Sequence, residues 1–375
     1  MTSTEITAAI VESGGAPFEL GSVELGDVQP GEVRVGMTAS GICHTDLLIR
    51  DGSFPTPMPV VLGHEGAGVV EEVGAAVTRV SVGDRIALSY ASCGGCHSCA
   101  SERPFYCADF FGRNFLAARP DGSTALSRDG QPVHSHFFGQ SSFATGAIVN
   151  ECSVVAIPDD IPFEVVAPFG CGIQTGVGSV INALRPQAGS SIAIFGAGGV
   201  GLSAVMGAII SGCEPIIVVD VRPQRLELAR ELGATHTVNA AETDPVEAIR
   251  EITGGGVKTS LEASGVPGVL RQAVDALGSD SVCGLIGAPP LGTEEALDVN
   301  GLLSTGRTVR GLVEGHSVPQ TFIPKLIDLW RDGRLPVDRL VRAYDFDQIN
   351  EAADAALAGD VVKPVLRMPT ETTAG

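Results

Sequence analysis

The sequence predicts an α/β chain in two parts, a mostly β domain followed by a doubly wound parallel sheet with helices on both faces. Two observations carry this. Residues up to about 170 run as short β-rich stretches punctuated by Gly, Pro and Asp, as in "GEVRVGMTASGI", "GVVEEVG" and "GDRIALSY". From about Ser190 the texture turns to strand and helix in alternation, the pattern that builds a parallel sheet.

Within the second part, "SIAIF", "PIIVVDV", "ATHTVN", "VKTSLEAS" and "SVCGLIG" are apolar runs of strand length. Between them "PQRLELARELG", "PVEAIREITGG" and "VLRQAVDALG" carry apolar residues at helical spacing. A helix over "PQTFIPKLIDLWRDG" and a strand over "KPVLRMP" close the chain.

Composition bounds the function. With 375 residues, 44% of them hydrophobic, the chain has material for two cores. No run reaches the ~20 uninterrupted apolar residues of a membrane span, and the first residues lack a basic stretch followed by an apolar one, so neither a span nor a secretory signal is expected. A cytoplasmic location follows as the expectation. The 44 Asp and Glu against 24 Lys and Arg give a net charge of −20. Such a surface repels phosphate backbones and anionic lipids, which argues against nucleic acid and membranes as partners.

"SIAIFGAGGVGLSAV" places Gly196, Gly198 and Gly201, with Gly199 and Val200 between them, after a strand and before a helix. In a dinucleotide-binding turn the first glycine permits the tight bend, the second lets the backbone approach a pyrophosphate, and the third lets helix and strand pack closely. The helix N-terminus adds partial positive charge. Asp220 ends the next strand, where an acidic group accepts hydrogen bonds from the adenosine ribose and repels the extra phosphate of NADP. NAD is therefore the expected coenzyme, with Arg222 and Arg225 close enough in sequence to soften the exclusion.

"ASCGGCHSCASERPFYC" sets Cys93, Cys96 and Cys99 at C-x2-C-x2-C spacing, with Cys107 after a spacer. Four thiolates fill a tetrahedral zinc shell and leave no position for substrate, so the expected site is structural. An iron–sulfur cluster uses similar spacing, but its run continues to a Cys followed by Pro, and Cys107 precedes Ala108. A second set lies scattered: Cys43 in "SGICHTDLL", His64 and Glu65 in "VLGHEGAG", and Cys171 in "APFGCGIQTG". Cysteine and histidine suit zinc, and two Cys with one His leave an open, catalytic position. Spacing alone does not join these residues.

Together, "GHEGAGVVEEVG", the four-cysteine lobe, "GCGIQTG" and "GAGGVG" resemble, in order and approximate spacing over nearly the whole chain, the zinc-dependent medium-chain alcohol dehydrogenases. "YCADFFGRNF", "PDGSTALS" and "FGCGIQTG" are similar to the bacterial aryl-alcohol (benzyl-alcohol) branch. The resemblance implies a GroES-like catalytic domain over 1–172 with the structural-zinc lobe at 91–110, a Rossmann coenzyme domain over 173–313, and a segment 314–375 returning to the catalytic domain. It implies two zinc ions per chain, NAD, and oxidation of a primary alcohol to the aldehyde. Cys43, His64 and Cys171 would bind the catalytic zinc, with Glu65 as an alternative ligand, Asp46 holding His64, and Thr45 taking the alcohol proton. His44 and Lys363 would meet the coenzyme pyrophosphate, Thr175 would lie beside the nicotinamide, and Tyr90 and Phe110 would line the substrate pocket. A homodimer or homotetramer, with coenzyme domains paired near "CGLIGAPP" and "TVRGLV", is expected. One departure is Leu48, which stands where relatives that complete the proton relay carry a histidine, so the proton would leave through Thr45, the ribose and water.

Two rivals remain. A thiol-dependent formaldehyde dehydrogenase of the same family would oxidise a glutathione or mycothiol adduct and need basic residues at the pocket mouth, for which Arg103 and Arg113 are candidates. A non-catalytic structural or binding protein is the other, disfavoured by retention of all three ligand positions with Thr45.

Overall fold

A computed structural model describes residues 4–369, and the chain divides into two compact units. The first contains residues 4–171, Val318–Leu329 and 337–369; the second contains Gly172–Ser317 and Trp330–Pro336.

The first unit is built on two sheets. One orders Val60–Val61, Thr4–Val11, Glu19–Leu25, Leu126–Arg128 and Gln131–Val133. The other runs Val154–Ala156, Arg85–Leu88, Glu65–Val73, Glu32–Gly41, Lys363–Arg367 and Val341–Asp345, with Gly146–Asn150 also paired to Glu32–Gly41. The C-terminal strand Lys363–Arg367 thus lies antiparallel to Glu32–Gly41, which pairs on its other side with Glu65–Val73. That insertion sets Glu65 and Val365 opposite Gly41 on its two sides, with Lys363 two residues from Val365. A Cβ at Gly41 would sit 2.1 Å from Glu65 Oε2, so the glycine leaves room for the carboxylate to cross.

A buried charge cluster braces the same unit. Arg119 donates from Nε to Glu32 Oε1 at 2.7 Å and from Nη2 to Oε2 at 2.8 Å, while His136 Nε2 lies 3.2 Å from Oε1. Burial alone pushes the Glu32 carboxyl up, but the hydrogen bonds from His136, Arg119 and the Gln29 N–H outweigh it and hold the group at about 2. His136 opens a turn in which His136, Phe138, Gly139 and Ser141 all have positive φ.

The second unit is a six-stranded parallel sheet in the order His236–Asn239, Ile216–Asp220, Ile192–Phe195, Val257–Glu262, Leu277–Leu285, Thr308–Gly311. Ile192–Phe195 is buried throughout and Ile216–Val219 nearly so, as expected for strands covered on both faces. Their side chains join Ile249, Val257, Ala273 and Leu277 in one core, where each fully buried large aliphatic side chain contributes about 1.5–3 kcal/mol. Sequence and structure differ at one junction. The helical spacing of "VLRQAVDALG" continues to Gly278, whereas the helix ends at Asp275 and the strand already begins at Leu277. Pairing of Leu277 with Val257, followed by a register shift before Thr259 and Val282, draws those residues into the sheet. Tertiary pairing there overrides local propensity. Among the described residues no helix is long and apolar enough to cross a membrane.

Candidate functional site

The short helix His44–Arg50 begins just after Cys43, and its third residue, Asp46, ties three segments together. Asp46 Oδ2 accepts the Cys43 N–H at 2.9 Å, and Oδ1 accepts the Gly63 N–H at 3.1 Å and lies 2.9 Å from His64 Nδ1. The carboxylate therefore caps the helix and holds His64 at once. With Nδ1 engaged, His64 Nε2 is left buried with no hydrogen-bond partner, and the ligand atoms of Cys43, His64 and Cys171 all lie within 4.8 Å of one another. Three segments that sequence spacing could not join thus converge. Burial works against the imidazolium, but the Asp46 carboxylate overrides it and raises its proton affinity. A hydrogen bond from Cys171, aided by His64, holds the Cys43 thiol well below its ordinary range despite burial. A thiol inclined to ionise at Cys43, a second sulfur from Cys171 and an orphaned imidazole nitrogen fit a zinc ion with a fourth position left for another ligand.

Glu65 and Lys363 stand beside this cluster and outside it. Lys363 is only 3% exposed, and its Nζ donates to both Glu65 oxygens at 2.8 and 2.9 Å and to the Ile42 carbonyl at 3.3 Å. These contacts make Lys363 the counter-ion of Glu65. The carboxylate in turn overcomes the cost of burial and keeps Lys363 protonated. His44 is exposed, and Thr45 Oγ1 lies 3.9 Å from Cys43 Sγ.

Aromatic side chains back His64. Phe138 stacks on its ring at 4.5 Å and 25°, and Phe137 meets it edge-on at 5.5 Å. Phe138 reaches this position through a φ of 51°, a left-handed conformation that bulky residues rarely adopt. From Phe138 the rings continue to Phe115 at 5.1 Å and Phe110 at 6.5 Å; Phe110 meets Tyr90 at 5.7 Å, and Phe115 stacks on Phe54 and Phe111. Tyr90 is buried and Phe110 half-buried. Sequence reasoning named only Tyr90 and Phe110 of these rings.

Cys93, Cys96, Cys99 and Cys107 form a second cluster with sulfurs within 4.8 Å. Backbone N–H groups point at the sulfurs: Cys93 to Cys107 and Cys96 to Cys93 at 3.3 Å, and Ala108 to Cys96 at 3.4 Å. The bond from Ala108 is the main cause that brings the Cys96 thiol down to about 6. Such donors favour the thiolates of Cys93 and Cys96, whereas burial pushes the Cys99 thiol up to about 12 and that of Cys107 upward; four thiolates on a zinc ion would complete a closed shell.

In the second unit the turn after Ile192–Phe195 has Gly196 at φ 98°. A Cβ at Gly201 would collide with the Gly196 carbonyl oxygen at 1.8 Å, whereas one at Gly198 would meet nothing within 4 Å. Gly201 is thus a packing glycine and Gly198 borders open space, the two roles a dinucleotide turn assigns them. The helix Gly199–Ile210, carrying Val200, starts at this turn. Asp220 Oδ2 accepts the Ala197 N–H at 2.6 Å, and Oδ1 accepts that of Arg222. Arg225 is buried on its helix and Arg222 is exposed. Thr175 donates its hydroxyl to Glu314 Oε2 at 3.2 Å, a partner with no motif to announce it.

Comparison with known proteins gives the same family from several directions. Residues 29–159 match the alcohol dehydrogenase GroES-like domain and residues 199–331 the zinc-binding dehydrogenase domain. The chain is 44% identical to geraniol dehydrogenase of Castellaniella defragrans over 96% of both chains. Among solved structures it is similar to an alcohol dehydrogenase zinc-binding domain protein from Burkholderia ambifaria, at 52% identity and a TM-score of 0.96, covering 98% of this chain and all of that one. It is also similar to benzyl alcohol dehydrogenase of Acinetobacter calcoaceticus, at 48% identity and a TM-score of 0.95 with the same coverage. The sheets described above are accordingly a GroES-like catalytic fold and a Rossmann fold, and the chain belongs to the zinc-dependent medium-chain alcohol dehydrogenases, on their aryl-alcohol branch.

Proposed function

We propose that the chain oxidises primary allylic or aromatic alcohols to aldehydes, reversibly, with NAD as hydride acceptor. The observation that carries this is the three-ligand cluster Cys43, His64, Cys171, one ligand short of a tetrahedral zinc shell and backed by Phe138, with Phe115 and Phe110 behind it. Flat unsaturated side chains suit rings that prefer edge-to-face and offset contacts.

Zinc held by these ligands supplies Lewis acidity that lowers the pKa of an alcohol hydroxyl, and a second zinc in the four-cysteine lobe supplies only shape. Asp46 keeps the His64 proton on Nδ1, which leaves Nε2 as a ligand and raises its basicity. Glu65, neutralised by Lys363, stays clear of the cluster as a reserve ligand. Thr45 Oγ1 would accept the alcohol proton, and with Leu48 in place of a relay histidine that proton would leave without an imidazole to carry it. Gly196, Gly198 and Gly201 seat the pyrophosphate, Asp220 selects NAD over NADP, and Thr175 flanks the nicotinamide. His44, exposed at the start of its helix, would serve as a cationic contact for the pyrophosphate, and Arg225, the third residue of its helix after Asp220, would serve the adenosine half. Tyr90 and Phe110 orient the substrate.

The protein works in the cytoplasm as a homodimer or homotetramer. In support, no disulfide joins its cysteines among the described residues. The edge strand Thr308–Gly311 is largely exposed, with Leu291, Val299 and Leu303 at 61–80% exposure nearby. Against the thiol-dependent rival, Arg113 is paired with Asp109 and Arg103 lies over Tyr106.

The test is the initial rate of NADH formation from geraniol and from benzyl alcohol, with and without a low-molecular-weight thiol. Fast, thiol-independent turnover is expected. Turnover of formaldehyde only with thiol, and none of either alcohol, would transfer the protein to the rival activity.

A further inference from the structure

The turn after the edge strand Thr308–Gly311 combines three unusual features. Glu314, Gly315 and His316 have consecutive φ values of 49°, 60° and 50°, left-handed in two non-glycine residues. Backbone strain of this kind persists where the surroundings enforce it, and it concentrates at functional sites. Glu314 is 8% exposed, and its Oε2 accepts hydrogen bonds from Thr175 Oγ1 and Gln174 Nε2, each at 3.2 Å. Finally, the turn is wedged against the helix Gly172–Gly178. A Cβ on Gly315 would lie 2.4 Å from the Gln174 carbonyl oxygen and 2.7 Å from that of Thr175, and one on Gly178 would lie 2.5 Å from the Gly315 carbonyl oxygen. Turn and helix are packed backbone to backbone.

Sheet topology says what this piece faces. The chain runs outward from Ile192–Phe195 through Ile216–Asp220 to His236–Asn239, then crosses to Val257–Glu262 and runs outward the other way. A dinucleotide lies across the carboxyl ends of such strands at that reversal, one nucleotide over each half. Asp220 marks the adenosine half, so the nicotinamide falls to the half made by Val257–Glu262, Leu277–Leu285 and Thr308–Gly311. Glu314 follows the carboxyl end of the last of these. The other buried carboxylate at that end, Glu262, is tied by Oε1 to the Ser264 and Gly265 N–H groups and the Ser264 hydroxyl, and serves its own loop.

We infer that Glu314 is a positioning residue that fixes Thr175 and sets a buried negative charge on the nicotinamide half of the coenzyme site, favouring the oxidised over the reduced coenzyme. The inference rests on the reading that the Gly196–Gly201 turn binds NAD. The nicotinamide ring is cationic in NAD and neutral in NADH, so a nearby carboxylate in a partly desolvated site stabilises one form and is indifferent to the other.

The experiment measures dissociation constants of the zinc-loaded protein without alcohol, NADH by its fluorescence and NAD by displacement of NADH. Glu314→Gln should weaken NAD about tenfold and NADH less than about threefold. A purely structural role would weaken both alike, and an unchanged ratio of the two constants overturns the inference. Glu314→Asp, which keeps the charge, should hold the ratio within about threefold of wild type even where affinity falls; if the Gln variant does not fold, Glu314→Ala removes the same charge and should shift the ratio in the same direction, and an unchanged ratio there is equally fatal. Gly198→Val separates the two layers. If it weakens both forms while Glu314→Gln leaves the ratio intact, only the role of Glu314 fails; if it weakens neither, the coenzyme turn itself is misassigned and the inference falls with it.

Discussion

Cys171→Ser lowers kcat/KM for a primary alcohol by at least about a thousandfold, because the Lewis acid is worth several kcal/mol in the transition state and each 1.36 kcal/mol is about tenfold. The same variant keeps its fold. Cys171 is half-buried directly after the turn Ala167–Gly170, and serine there is nearly the same size. Zinc content should drop by about half, leaving the four-cysteine lobe filled. Assay of rate and zinc on one preparation checks this. A variant that loses half its zinc and retains its rate would place the chemistry elsewhere.

Cys99→Ser acts through the other cluster and should show the opposite signature, a loss of stability first and of activity second. Metal binding to a closed thiolate shell is itself folding free energy, about 10–16 kcal/mol in isolated fingers. Here the lobe is a small part of a larger unit, so only a fraction appears in global unfolding. A penalty of about 3–5 kcal/mol corresponds to a Tm lower by roughly 10 °C for a unit of this size. The lobe also carries catalytic consequence, because Cys107 leads directly into the helix Phe110–Phe115, whose Phe110 and Phe115 contact Phe138. Melting it should raise KM for aromatic alcohols in the protein that remains folded. Thermal unfolding with limited proteolysis across 91–110 reads both effects; an unchanged Tm and intact zinc would contradict a structural role.

What the sequence revealed and what it concealed divide along physical lines. The glycine turn and the four-cysteine lobe are local devices whose residues act within one turn or one loop, so spacing alone carries them. The Cys43, His64, Cys171 cluster is assembled by sheet pairing and a carboxylate clamp, and only resemblance to a family joined it in advance. The ion pair of Lys363 escaped the sequence for a related reason. A lysine near a chain end reads as solvent-exposed or phosphate-binding, yet the strand Lys363–Arg367 slots beside Glu32–Gly41 and delivers its ammonium to Glu65. Phe138 and Glu314 were invisible because their importance comes from left-handed backbone, which no composition or period announces in a Phe or a Glu.

The most direct test is graded removal of metal from the wild-type protein. Under a mild chelator, alcohol oxidation should fall in proportion to the more readily lost zinc while the fold persists, and return when zinc is restored. Full activity in protein whose Cys43, His64 and Cys171 cluster has been emptied would contradict the account.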